Sequence, residues 1–240
     1  KELNSAMQTN LAAFVKNTPH GREADAILRK CVHCGFCNAT CPTYQLLGDE
    51  LDGPRGRIYL MKQVMEGVPA TAKTQLHLDR CLTCRACETT CPSGVEYGRL
   101  ADIGRHIVDK QVGRGPAALA MRMALRAVVP NAALFGALLK LGQLFRPLLP
   151  AALKRTVPPP APATPWPKRS HARGMLVLEG CAQSALSPNT NAAAARVLDR
   201  LGITLMRAPR AGCCGVVSLH LDARDQALAH AVKPCEHVKQ

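Results

Sequence analysis

Two stretches of this 240-residue chain carry the same cysteine spacing: CVHCGFCNATCP at 31–42 and CLTCRACETTCP at 81–92. Each reads C-x2-C-x2-C-x3-C-P. Three cysteines at two-residue gaps turn their thiolates toward one centre, and in two-cluster ferredoxins the fourth ligates the other cluster. On that rule Cys31, Cys34, Cys37 and Cys91 form one ligand set, and Cys81, Cys84, Cys87 and Cys41 the other. The chemistry is one-electron transfer through two 4Fe–4S clusters. Pro42 and Pro92 stop any helix from running through the fourth cysteine. Zinc is the competing occupant, but zinc sites use two CxxC pairs; a third cysteine at the same gap, in both copies, favours iron and sulfide. His33 and His77 lie near the clusters and suit packing or hydrogen bonding better than ligation. Arg80 and Arg85 flank Cys81 and Cys84 and receive no role.

The elements that must hold these loops read as helices. Residues 20–30 lead into the first cysteine with Ile27 and Leu28 on the buried side. Residues 58–67, IYLMKQVMEG, follow the punctuated loop GDELDGPRGR and end at Gly67. Residues 74–80 lead into the second cluster. Residues 97–112 place Leu100, Ile103, Ile107 and Val108 on one side, the 3.6-residue period of an amphipathic helix.

Beyond residue 110 the composition changes. Residues 110–173 hold 11 Lys or Arg and no Asp or Glu, which accounts for most of the chain's net charge of +14. Apolar helical stretches are expected near 117–129 and 132–149. The second is a poor transmembrane span, because Lys140, Arg146, Pro147 and Pro150 interrupt it. Gly136, Lys140, Gln143 and Pro147 make a narrow polar stripe. Three readings stand: packing on its own domain, docking to another subunit, or lying on an anionic membrane. TVPPPAPATPWPKRSHAR follows, with six prolines in 156–168, and reads as an extended spacer.

A βαβ pattern begins at residue 174. GMLVLEGC reads as a buried strand, 189–201 as a helix closed by Gly202, and ITLM at 203–206 as a parallel second strand. AGCCG at 211–215 reads as a turn, and 222–231 as a helix capped by Asp222. Cys181, Cys213 and Cys214 fall at strand ends on one edge, where thiols distant in sequence converge. They are a candidate additional redox site; Cys235 lies outside any CxxC. The fold class is α+β: an N-terminal segment (1–20), a helical two-cluster ferredoxin domain (21–112), a basic helical region (113–155), a Pro-rich linker (156–173) and a partial α/β cysteine-rich domain (174–240).

Other function classes fit less well. Aromatic residues are 3% of the chain, too few for nucleic-acid recognition by stacking. No GxGxxG follows a strand, and no Walker motif or nucleophile–base pair is evident, so no catalytic residue is assigned. Twelve cysteines without a secretory signal suit a cytoplasmic, thiolate-using protein. Met7 reads as a natural start. The last nine residues follow a helix-like run with no stop, so the chain reads as a fragment.

Cys41 and Cys81 are forty positions apart, a wider spacing than compact bacterial ferredoxins use. The pattern resembles the α-helical ferredoxin domain of succinate dehydrogenase, fumarate reductase and heterodisulfide reductase subunits. The CCG segment resembles the cysteine-rich domain of heterodisulfide reductases and 2-hydroxy-acid oxidoreductases, whose pattern is completed by further cysteines downstream. The order of paired ferredoxin motifs, DGPRGR, basic helices, Pro-rich linker, LEGCAQSALSPNTN and AGCCG resembles the iron–sulfur subunits of bacterial glycolate oxidases, from about Met7 to Ala231. That resemblance implies FAD on partner subunits, electron delivery to a quinone, and peripheral placement on the cytoplasmic face of the inner membrane. The alternatives are the iron–sulfur subunit of anaerobic glycerol-3-phosphate dehydrogenase and a catalytic subunit like that of heterodisulfide reductase.

Overall fold

The computed structural model describes residues 7–208 and 212–238, with side chains as far as Val232. The chain divides into two units, Lys1–Gly115 and Pro116–Gln240. The residues ahead of Met7, Ala211 of the AGCCG turn, the Cys235 side chain and the tail tip lie outside the described residues.

Unit one is helical: α1 (Ala13–Lys16), α2 (Pro19–Lys30), α3 (Phe36–Ala39), α4 (Pro42–Leu47), α5 (Pro54–Met65), α6 (Ala72–Asp79), α7 (Ala86–Thr89) and α8 (Tyr97–Val112). Helix α2 starts where Thr18 accepts a hydrogen bond from the Gly21 N–H at 2.9 Å, with Pro19 in the first turn, the position where a missing N–H costs nothing. Its stripe of Ala24, Ile27 and Leu28 packs with Ile58, Met61 and Met65 of α5 and Leu100, Ile103 and Val108 of α8 in one core. Burying each large side chain contributes roughly 1.5–3 kcal/mol. Gly104 lets α5 approach α8, since a Cβ there would collide with the Met61 side chain. Ile107 is only partly buried. Gly67, at φ 104°, follows the end of α5.

Unit two begins with α9 (Pro116–Val128), α10 (Ala132–Phe145) and α11 (Ala151–Thr156). Pro147 turns the expected 132–149 helix into a short 3-10 turn after Phe145. None of these three helices has a buried residue. The Pro-rich segment has no regular structure but is tied to its own unit. Thr164 N–H donates to Asn189 Oδ1 at 2.7 Å, the Arg207 guanidinium stacks on Trp166 at 4.4 Å, and His171 N–H donates to Thr204 Oγ1 at 2.6 Å.

Then come β1 (Arg173–Val177), α12 (Gln183–Leu186), α13 (Asn189–Arg200), β2 (Ile203–Arg207), α14 (Val216–His220) and α15 (Arg224–Val238). β1 and β2 pair in parallel with Arg173 opposite Ile203, and α13 is the crossover. Helix α13 buries Ala192 and Ala195, and β2 buries Ile203. Three expectations need correction. The first strand ends at Val177 rather than Cys181. It is exposed rather than buried: among the described residues the sheet has two strands, so Met175 and Leu176 are half open to solvent. Asp222 is not a helix cap. It takes φ 59° in the turn after α14, and α15 starts two residues later.

Candidate metal centre

The two cysteine loops repeat in backbone as well as in sequence. In the first, His33 and Gly35 have φ of 56° and 86°; in the second, Thr83 and Arg85 have φ of 52° and 58°. These left-handed residues, uncommon outside glycine, fold each CxxCxxC stretch back on itself and feed it into the one-turn helices α3 and α7. The Thr40 hydroxyl joins the copies, reaching the Ala86 carbonyl at 3.3 Å.

Two adjoining chambers result. Cys31, Cys34, Cys37 and Cys91 line one. Cys41, Cys81, Cys84 and Cys87 line the other. The fourth cysteine of each block therefore faces the first three of the other block. Pro54, Cys87 and Tyr97 form a wall common to both chambers. Cys34 and Cys84 are the solvent-exposed member of each set.

Burial pushes the Cys31 thiol up, Cys37 to about 11 and Cys87 to about 12, with neighbouring sulfurs adding to the effect. Such thiols keep their protons until a positive centre displaces them. The donor set fits a polynuclear cluster better than one zinc ion. Two Zn–S bonds of about 2.3 Å bridge at most about 4.6 Å. Among the described residues, the only His, Cys, Asp or Glu trio with ligand atoms all within 4.8 Å of one another is Asp49, Asp52 and His77.

The second chamber has a charged backing. Arg57, 1% exposed, donates from Nε to the His77 carbonyl at 2.7 Å, and from Nη1 to Thr43 Oγ1 at 3.1 Å and Cys41 Sγ at 3.9 Å. Its Nη2 lies 3.5 Å from Asp52 Oδ1 but makes no hydrogen bond. A buried N–H without an acceptor is costly, and cluster sulfur beside Cys41 is the acceptor chemistry it suits. Asp52, fully buried, also meets His77 Nδ1 at 3.0 Å and Arg80 Nη1 at 2.7 Å. Burial opposes its charge, yet His77 and Arg80 hold it below the usual carboxylate range. Tyr97, kept protonated by burial, donates to Cys81 Sγ at 3.6 Å. In the first chamber Cys91 Sγ accepts from a backbone donor, the Val95 N–H at 3.5 Å.

In unit two the structure brings Cys181 and Cys213 within hydrogen-bonding reach. Cys213 is buried, and burial first, Cys181 second, pushes its thiol to about 11. Cys214 points to solvent. Gly215 takes φ 80°, and a Cβ there would collide with the Ala227 carbonyl, so glycine is needed after the cysteine pair. The two thiols border an open cavity of about 940 Å³ with Arg126, Glu179 and His230 on its wall.

Residues 27–95 match the family model described as a 4Fe-4S dicluster domain, and residues 175–240 the one described as a cysteine-rich domain. The chain joins a 4Fe-4S dicluster domain to a cysteine-rich domain. It is 60% identical over 226 residues to the glycolate oxidase iron-sulfur subunit of Escherichia coli (strain K12), covering 94% of this chain and 56% of that protein. It is 30% identical over 237 residues to the probable glycolate oxidase iron-sulfur subunit of Bacillus subtilis (strain 168), covering 86% of this chain and 53% of the relative. The chain thus spans about half the length of the curated relatives it matches. No solved structure matches it.

The residues around the dicluster domain's sulfurs explain what cysteine spacing left unassigned. His77 and Arg80 serve Asp52 rather than a cluster. Arg85 packs its guanidinium over Gly98, and His33 meets Tyr59 edge to face at 6.2 Å. Arg57, Asp52 and Tyr97 went unnoticed in sequence. The signal for the first two was the GDELDGPRGR loop, whose charges sit among glycines and a proline with no periodicity to explain them.

Proposed function

We propose that this chain is the electron-relay part of a flavin-dependent 2-hydroxy-acid dehydrogenase of the glycolate oxidase type. Cys31, Cys34, Cys37 and Cys91 hold one 4Fe–4S cluster, and Cys41, Cys81, Cys84 and Cys87 hold the second, within a ferredoxin domain spanning about residues 21–112. When bound, the clusters supply one-electron carriers. The chain's own residues fix, shield and bias them. FAD on partner subunits takes the electron pair from glycolate, and a quinone receives it downstream. The observation that carries this reading is the shared wall of Cys87, Pro54 and Tyr97, which leaves the two four-thiol chambers adjacent. The names of the relatives favour glycolate over glycerol 3-phosphate. Cys181 and Cys213, with Cys214 beside them, form an additional redox site in the cysteine-rich half, about residues 174–240. Anaerobically reconstituted protein is expected to hold about eight irons with matching sulfide in its ferredoxin half and to show interacting 4Fe–4S signals by EPR when reduced. Colourless protein with stoichiometric zinc would defeat the reading.

The basic helices support placement on the cytoplasmic face of the inner membrane. In α10, Leu134, Leu138, Leu141 and Phe145 recur at helical spacing and are all exposed. The opposite side faces its own unit: Gly136 lies against Ala185, and Gln143 donates to the Pro158 carbonyl at 3.3 Å. An apolar stripe pointing outward, in a segment (110–173) with eleven cations and no acid, suits an anionic bilayer surface. There each basic residue contributes about 1 kcal/mol. No single helix among the described residues is long and apolar enough to cross a membrane, and the α9–α10 pair is bent by 111°. The helices would lie in the interface rather than span it. Vesicles with phosphatidylglycerol are expected to sediment the protein at low salt, and pure phosphatidylcholine vesicles to leave it in solution. Leu138→Glu with Leu141→Glu should abolish the binding. Equal binding to both vesicle types would refute the charge component.

A further inference from the structure

The two chambers differ in what surrounds their sulfurs, and the difference has a sign. Around Cys41, Cys81, Cys84 and Cys87 stand the buried Arg57 guanidinium, 3.9 Å from Cys41 Sγ, and the buried Tyr97 hydroxyl, 3.6 Å from Cys81 Sγ. Backbone donors do not separate the sites: the Thr83 N–H reaches Cys81 at 3.4 Å and the Val95 N–H reaches Cys91 at 3.5 Å. Asp49 and Asp52 together answer Arg57 and Arg80, so what sets this site apart is the direct approach of the Arg57 guanidinium and the Tyr97 hydroxyl to its sulfurs, not the net charge of the patch. Around Cys31, Cys34, Cys37 and Cys91 the nearby cation is Arg55, which is about one-third exposed and already paired with Glu50 at 2.6 Å.

Reduction adds one negative charge to a cluster. Positive charge and hydrogen bonds to its sulfurs stabilise that form and raise the potential. Burial strengthens the effect, because a guanidinium with 1% exposure is little screened. We infer that Arg57 and Tyr97 give the electron its direction: they make the site of Cys41, Cys81, Cys84 and Cys87 the higher-potential member of the pair. With both clusters bound, an electron arriving at the site of Cys31, Cys34, Cys37 and Cys91 would pass across the shared wall. One site loses one electron and the other gains it, with no bond made or broken. Tyr97 lines both chambers yet donates to a sulfur of only the second. Arg57 is a positioning and tuning residue, since it acts through the cluster sulfurs. Its Nη1, 3.9 Å from Cys41 Sγ, is the donor that the second site would use once loaded.

This inference rests on the relay reading and fails separately from it. The test is an EPR-monitored redox titration of the reconstituted chain, with iron counted in each sample. Arg57→Met is expected to lower the higher of the two potentials, shifting the one-electron equilibrium between the sites by about tenfold, about 59 mV, and to leave the lower one in place. Arg57→Lys should restore most of the shift, because it returns the charge. Tyr97→Phe should move the same potential in the same direction by less. It keeps the ring and decides the matter if Arg57→Met fails to fold or load. Movement of the lower potential, or of neither, overturns the assigned direction and leaves the relay intact. A wild-type chain that takes up no iron defeats both.

Discussion

Cys41→Ser is expected to strip iron from the site built on Cys81, Cys84 and Cys87, forty residues away, and to leave the site beside it in sequence loaded. Cys41 lines the chamber of the second block together with Arg57 and Thr43, while Cys91 lines the chamber of the first. A cubane with three protein thiolates has an open iron. Serine oxygen is a harder and less acidic donor, poorly matched to iron–sulfur chemistry. Iron should fall from about eight to about four per chain. Double variants identify which four. Adding Cys84→Ser to Cys41→Ser should remove little more, because both belong to one site. Adding Cys34→Ser should remove nearly everything. Non-additivity in the first pair and additivity in the second is the signature of shared and separate sites. If Cys41→Ser with Cys34→Ser retains four irons while Cys41→Ser with Cys84→Ser loses all, the ligand sets are sequential and the crossed assignment is wrong.

The crossed grouping of the thiols, Cys91 with the first block and Cys41 with the second, was legible because it follows from spacing. Two-residue gaps close a loop on one centre, and a three-residue gap ending in proline does not. Helices α2 and α8 were legible for a related reason, since Ala24, Ile27 and Leu28, or Leu100, Ile103 and Val108, repeat with the helical period. Helices α3 and α7 are four residues long and have no period to show. Arg57 could not be read as buried, because its burial depends on Asp52, Thr43 and the His77 carbonyl meeting from three separate segments. The first strand misled for a different reason. Met175 and Leu176 are apolar enough for a core, but two paired strands with one crossover helix cover little of them. For α10 the amphipathic pattern was visible while its orientation was not. Periodicity reports that two faces differ and is silent on which one the domain occupies. The outward Leu134, Leu138 and Leu141 stripe needed coordinates.

Loss of either cluster site in the full-length subunit is expected to stop electron delivery while leaving the flavin reducible. The relevant variants are Cys31→Ser and Cys81→Ser, each assembled with its flavin partners. Cys31 and Cys81 open their respective blocks and face separate chambers. A flavin gives up two electrons, and a relay with one carrier missing must pass both across a longer gap. Stopped-flow mixing with glycolate should therefore bleach the flavin at an ordinary rate, and steady-state turnover with a quinone analogue should drop to background. The wild-type complex is the positive control, and turnover is compared within it because this chain spans about half the length of the curated relatives it matches. The 240-residue chain alone is expected to leave glycolate unchanged. Normal quinone reduction by a complex lacking either site, or glycolate turnover by this chain alone, would end the relay reading. Bleaching that slows together with turnover, in a complex shown to be assembled, would place the cysteines in the flavin's half-reaction instead, since a pure relay acts only after the substrate has been oxidised.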